Sequence, residues 1–139
     1  IVKYFHLENY EWGYSQPWVK EKKEGPCLGI KSMKVAGEVW LLNQDNSTDS
    51  YYKGNYQKTL VLNTFPFIEN IAGIETLSEI PYLYLLEPSQ KRIIIADKEG
   101  KIIKQILSEK FDDLKDFAIS KDGKIIWVLN GLKIYQINL

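Results

Sequence analysis

Pro81–Leu107 reads PYLYLLEPSQKRIIIADKEGKIIKQIL, and its layout decides the fold. Tyr82–Glu87 (YLYLLE) and Arg92–Asp97 (RIIIAD) are short apolar runs of aromatic and branched residues, the types that suit a pleated surface. Polar Pro88–Gln90 separates them, and Lys98-Glu99-Gly100 is a turn signal before Lys101–Leu107 (KIIKQIL). That last stretch also places Ile102, Ile103, Ile106 and Leu107 on one helical stripe. Its position directly after the turn makes a strand the better reading.

The same layout recurs on both sides. Glu38–Asn43 (EVWLLN) and Ile125–Asn130 (IIWVLN) share with Tyr82–Glu87 an aromatic, two aliphatics and a closing polar residue. The aromatics Trp40, Tyr84 and Trp127 are spaced by 44 and then 43 residues. An apolar stretch precedes each run, at Ile30–Val35, Ile71–Leu77 and Phe117–Ser120. A third stretch follows at Tyr51–Lys53, Arg92–Asp97 and Lys133–Leu139, and a fourth at Gln57–Leu62 and Lys101–Leu107. Ala36-Gly37, Lys121-Asp122-Gly123 and Asn130-Gly131 supply turns between them. A unit of four short strands, A to D, repeating every 40–50 residues or so describes a β-propeller blade. The fold class expected is therefore all-β: a fragment of a β-propeller with four-stranded antiparallel blades. Blade limits fall at 27–63, 64–110 and 111–139, the last lacking its outer strand, with residues 1–26 forming part of a preceding blade plus a loop over Asn9–Trp18.

The unit Pro81–Leu107 resembles an NHL-type blade: an aliphatic B strand, a polar loop, Lys91-Arg92-Ile93 opening a C strand that ends in Asp97, and the turn Lys98–Lys101. The stretch after it resembles the next A, B and C strands. The first unit departs from the pattern, with Asp49–Asn55 where the basic C-strand opening belongs. The resemblance implies the C-terminal blades of a larger propeller, of the kind found in bacterial surface or membrane-anchored proteins. On this reading Ile1 is an internal boundary, and a segment upstream of it supplies the missing D strand of the last blade.

Composition narrows the function classes. Apolar residues make up 45% of the 139, enough for a real core, and 18 basic residues balance 18 acidic ones. A neutral chain carries no overall field to steer it onto nucleic acid or an anionic membrane. No apolar run approaches the roughly 20 residues of a membrane helix, and no signal peptide is visible. Lys20–Glu24 interleaves base with acid and reads as a solvated loop. The single cysteine, Cys27, forms no internal disulfide and reads as a small packed residue. Asn46-Ser47-Thr48 fits a glycosylation sequon, which matters only in a secreted eukaryotic protein. Localisation stays open, an extracytoplasmic, membrane-anchored position being one possibility.

Catalytic chemistry has little to stand on. His6, the only histidine, reads as a strand-edge or surface residue, so zinc and a Ser-His-Asp arrangement find no support. No catalytic residue, metal or cofactor is expected. The candidate ligand-contacting residues are Trp12 and Trp18, in an aromatic loop with Tyr10 and Tyr14, and the acidic cluster Asp112, Asp113 and Asp116. The competing reading packs the aromatics between blades and makes the aspartates a solvated loop with one capping a turn. The function expected is a non-catalytic binding or scaffolding propeller. Its protein, peptide or glycan ligand would meet the B–C and D–A loops near Asn43–Ser50, Asn63–Asn70, Glu87–Gln90, Glu109–Asp116 and Asn130–Leu132. The alternatives are the sensor end of a membrane-anchored signalling protein with an upstream phosphatase or kinase domain, or part of a propeller enzyme whose active site lies in other blades.

Overall fold

A computed structural model of the chain describes residues 2–7, 12–20 and 29–139. Among these described residues, thirteen strands and one 3-10 turn account for the regular structure. A hairpin pairs β1 (Val2–His6) with β2 (Trp12–Pro17). Blade I follows with β3 (Ile30–Ala36), β4 (Glu38–Asn43), β5 (Thr48–Tyr52) and β6 (Asn55–Leu60). Blade II holds β7 (Gly73–Glu75), β8 (Tyr82–Glu87), β9 (Arg92–Asp97) and β10 (Ile102–Leu107). Blade III has β11 (Leu114–Ile119), β12 (Ile125–Asn130) and β13 (Lys133–Asn138). Each sheet pairs its strands in sequence order, all antiparallel. The first strands β3, β7 and β11 lie beside one another, so the three sheets are arranged around a common inner edge. This is the arrangement of a β-propeller, and the chain is a piece of one.

The repeat is exact in register where it matters. Trp40, Tyr84 and Trp127 each hold the third position of the second strand, and all three point to the same side of their sheets. Trp40 and Leu42 meet Leu83 and Leu85 of the next blade in one apolar cluster. Tyr84 and Leu86 meet Ile126 and Val128 in another. Both faces of β8 are therefore covered, and Leu83 to Leu86 are each at most 1% exposed. Trp40 lies opposite Ser50 whereas Tyr84 lies opposite Ile95, so the larger ring is matched to the smaller cross-strand neighbour.

Several details differ from the sequence expectation, among them the bounds of β6 (Asn55–Leu60 rather than Gln57–Leu62) and of β11 (Leu114–Ile119 rather than Phe117–Ser120). Residues 12–17 form a strand where a loop was expected, because they pair with β1 over Val2↔Pro17 to Tyr4↔Ser15. The C strand of blade I is Thr48–Tyr52, earlier than Tyr51–Lys53. Its polar residues Thr48, Asp49 and Ser50 are buried, and Asp49 is paired: it accepts from Asn43 Nδ2 at 3.0 Å and from Thr59 Oγ1 at 2.5 Å. The A strand of blade II shrinks to Gly73–Glu75, because Thr76 turns its hydroxyl onto Tyr82 O at 2.7 Å. Lys101–Leu107 is a strand over Ile102–Leu107, paired with β9 throughout.

Two glycines are required at the lower turns. Gly123 has φ +71°, and a Cβ there would stand 2.8 Å from the Tyr84 hydroxyl, which donates to the Gly123 carbonyl at 2.9 Å. Gly54 has φ +89°, and its Cβ would collide with the Trp18 carbonyl. No helix among the described residues is long and apolar enough to cross a membrane.

Candidate functional site: the loop face above the blades

The strands β4, β8 and β12 all run toward one end of the blades, here the upper face. There the B–C loops meet the linkers that carry the chain from one blade to the next. Each of these strands ends in a buried polar residue: Asn43, Glu87 and Asn130, at 3%, 0% and 6% exposure. A buried polar side chain must find partners, and these three find them in the loops.

Glu87 has the most developed set. Its Oε2 accepts from Arg92 Nε at 2.6 Å, and both side chains are fully buried. Its Oε1 accepts from the backbone amides of Glu69 at 2.6 Å and Asn70 at 3.3 Å. Arg92 spends its remaining donors on Gln105 Oε1 at 2.5 Å, Thr64 Oγ1 at 3.2 Å and the Pro66 carbonyl at 2.9 Å. The linker from blade I to blade II, residues 61–72, is thus held from beneath by a charge-assisted network. Blade I holds it from the other side. Asn46 Oδ1 accepts from the Ile71 amide at 2.9 Å, Asn46 Nδ2 donates to Glu69 O at 3.1 Å, and Lys31 Nζ donates to Asn70 Oδ1 at 2.7 Å. Gln90 Nε2 donates to Phe67 O at 2.6 Å.

With its backbone fixed at so many points, this linker still turns two large rings outward. Phe65 is 85% exposed and Phe67 78%, on either side of Pro66, whose peptide bond to Phe65 is cis. Leaving a phenylalanine exposed forgoes about 1.5–3 kcal/mol of burial, which makes these two rings on a fastened loop candidate contact residues. Sequence reasoning placed the loop on this face and missed the two residues, because Phe reads as core. The signal available was Phe-Pro-Phe falling in a linker between a D and an A strand, outside any strand period.

The acidic candidates lie over blade III. Asn130 Nδ2 donates to Asp112 Oδ1 at 2.7 Å and to Lys110 O at 3.0 Å, while its Oδ1 accepts from the Asp113 amide at 2.9 Å. Asp113 pairs with Lys115 at 2.7 Å. Asp112 and Asp113 are brought together on a cleft of about 470 Å³ with Lys110, Asn130, Leu132 and Tyr135. Asp116 is not in it; its Oδ1 accepts from the adjacent Phe117 amide at 2.8 Å. The hydrogen bond from Asn130 holds the Asp112 carboxyl below the usual carboxylate range, with its own backbone amide and the charges of Lys91 and Lys133 acting the same way. Asn130 thus fastens this linker, through Asp112, Lys110 O and the Asp113 amide, as Glu87 fastens the one in blade II. No group of three metal-ligating side chains comes together among the described residues.

The aromatic candidates lie elsewhere. Trp18 packs on Tyr51 with ring centroids 6.4 Å apart, near the lower turn where Lys20 N donates to Gly54 O at 2.8 Å. Trp12 is 71% exposed on the β1–β2 hairpin and Tyr14 68%. The structure does not bring Trp18 and the aspartates to one place. Tyr10, Cys27 and Glu21–Glu24 lie outside the described residues, as does the His6 side chain, although its backbone belongs to β1.

No protein-family model and no curated protein matches the sequence. Solved structures do match in fold. Kluyveromyces lactis Hsv2, with its complete loop 6CD, aligns at a TM-score of 0.62 and 14% identity, over 81% of this chain and 33% of its own. Kuenenia stuttgartiensis hydrazine synthase aligns at 0.62 and 16% identity, over 87% of this chain and 36% of its own. A streptogramin B lyase aligns at 0.52 and 17% identity over the whole of this chain and 45% of its own. The chain spans from a third to under half of the length of these proteins, two of which carry enzyme names. At such identities the likeness lies in the fold, and that fold is the β-propeller.

Proposed function

We propose that the chain is a non-catalytic binding or scaffolding part of a β-propeller, recognising a protein, peptide or glycan through its upper face. The observation that carries this reading is the linker 61–72. Eight of its residues are fastened by hydrogen bonds to blades I and II, while the rings of Phe65 and Phe67 project from it. A fixed loop loses little freedom when a partner covers it, and aromatic rings seated in a partner's pocket are the usual energetic anchors of an interface. The cleft at Asp112 and Asp113 lies on the same face and is a second contact region in this proposal. Trp12 belongs to the proposal as an exposed aromatic of the hairpin; Trp18 is assigned to packing.

The finer family reading is an NHL-type propeller with blades at 27–63, 64–110 and 111–139. It draws support from blade II, where the motif residues have physical roles. Arg92 is the buried cation of the linker network, and Asp97 Oδ1 accepts from the Glu99 and Lys101 amides, each at 2.9 Å, closing the lower turn. The test of function is a combined peptide, protein and glycan array probed with the labelled chain and with F65S/F67S. The reading expects ligands that wild type binds and the double variant binds at least about tenfold more weakly, a loss of about 1.4 kcal/mol. An array on which wild type binds nothing, or on which the two bind alike, would sink it.

A further inference from the structure

Five buried side-chain polar atoms among the described residues meet no hydrogen-bond partner, and four of them fall on one side of one sheet. They are Glu38 Oε2, the Trp40 indole Nε1, Thr48 Oγ1 and Ser50 Oγ. Glu38, Trp40 and Leu42 alternate along β4, so their side chains share a side. Trp40 lies opposite Ser50 and Leu42 opposite Thr48, which puts both hydroxyls on that side as well. Trp40 and Leu42 pack in the cluster that holds Leu83, Leu85 and Ile94, so this is the side that faces blade II. Trp40 and Ser50 are 0% exposed and Thr48 1%, whereas Glu38 is half-buried at the lower end of its strand. The next interface gives the contrast. In blade II the same four positions hold Tyr82, Tyr84, Ile95 and Ile93, as the pairs Tyr84↔Ile95 and Leu86↔Ile93 fix. There the isoleucines carry no polar atom, and the Tyr84 hydroxyl donates to the Gly123 carbonyl of blade III at 2.9 Å.

We infer that the seam between blades I and II binds internal water, in a short chain that runs from Glu38 at the lower turn past Trp40 and Ser50 to Thr48. Buried polar groups in folded proteins are met either by protein or by ordered water, and four such groups on one side of one sheet share a single solution. Water fits this set of donors and acceptors. The indole N–H only donates, the carboxylate oxygen accepts, and the two hydroxyls do either, while a water molecule both donates and accepts and can bond all four. A metal cation would face the indole N–H with the wrong polarity and would find too few oxygens. An anion would meet the Glu38 carboxylate. Half-buried Glu38 gives the chain of waters its way in from solvent. Both walls of the seam belong to this chain, the sheet β3–β6 and the sheet β7–β10. The seam between blades II and III, with isoleucines in place of the hydroxyls and Tyr84 already bonded, stays dry at the matching positions.

Two measurements on the full chain test this. A crystal structure of the wild type, at a resolution that orders solvent, should show a water within hydrogen-bond distance of Trp40 Nε1 and of at least one of Ser50 Oγ and Thr48 Oγ1. Oxygen-17 magnetic relaxation dispersion counts the waters held for longer than the chain takes to tumble. T48V/S50A removes both hydroxyls with little change of shape and should hold fewer such waters than wild type. Should the double variant not fold, T48V and S50A singly carry the same comparison. A crystal in which no water touches Trp40 Nε1, or a count of long-lived waters that is the same in wild type and variants, would overturn the proposal.

Discussion

Replacing Arg92 by methionine should be among the most damaging single changes to the upper face. The guanidinium is fully buried and bonds Glu87, Gln105, Thr64 and the Pro66 carbonyl. Methionine keeps an apolar stem of similar reach and removes every donor. Glu87 then remains buried with only the Glu69 and Asn70 amides for company. Removing one member of a buried ion pair costs about 3–5 kcal/mol, because the other is left uncompensated. For a chain of this size each kcal/mol moves the unfolding midpoint by roughly 4 °C, so R92M should lower it by about 12–20 °C. Replacing both members, as E87L/R92M, removes the stranded charge and should recover part of that loss, although the linker amides then lack an acceptor. Thermal unfolding gives the stability, and hydrogen exchange at the Glu69 and Asn70 amides reports the linker itself. A cost for R92M below about 1 kcal/mol, with those amides exchanging as in wild type, would refute the claim that this pair fastens the linker.

Leu85→Ala and Leu86→Ala should each cost about 2–5 kcal/mol, because the two side chains enter the clusters on opposite sides of blade II; denaturant titration of each variant checks this, and a negligible cost at either would mean that side is open. Gly123→Ala should destabilise by more than about 1 kcal/mol, since it combines positive φ with a clash at the Tyr84 hydroxyl, and Y84F should ease the clash part of that loss in the double variant. The Asp112 carboxyl is held below the usual range in the folded chain, so its contribution is present above the unfolded carboxylate value and fades as pH falls through the lower folded value. The Asn130 side-chain amide resonance should follow that titration in wild type and stay flat in D112N.

What could be seen in the sequence follows from where burial and pattern agree. EVWLLN, YLYLLE and IIWVLN are central strands covered on one or both sides, and such strands read as apolar runs. Their spacing gave the blade. Thr48–Tyr52 was misplaced because its interior is polar. Thr48, Asp49 and Ser50 are buried all the same, and the partners of Asp49, Asn43 and Thr59, come from neighbouring strands that the local sequence does not reveal. Hairpin strand Trp12–Pro17 depends on pairing with β1, again a nonlocal fact. At the site, Asp112 and Asp113 were recognisable as loop residues, one of them fastening a turn. Phe65 and Phe67 were not, since exposure of a phenylalanine is decided by tertiary structure. The role of Glu87 and Arg92 was equally hidden: two charges five residues apart look solvated until the blade encloses both.

In the proposed function the upper face is the side that binds. The direct measurement is the hydrogen-exchange footprint of a ligand selected on the array, taken on the wild-type chain. Protection should fall on the linkers 63–70 and 108–113 and on the B–C loops at 88–91 and 130–133. Protection confined to the lower turns at 53–54, 98–101 and 121–123, with the Phe65–Phe67 segment exchanging as in the free chain, would contradict it.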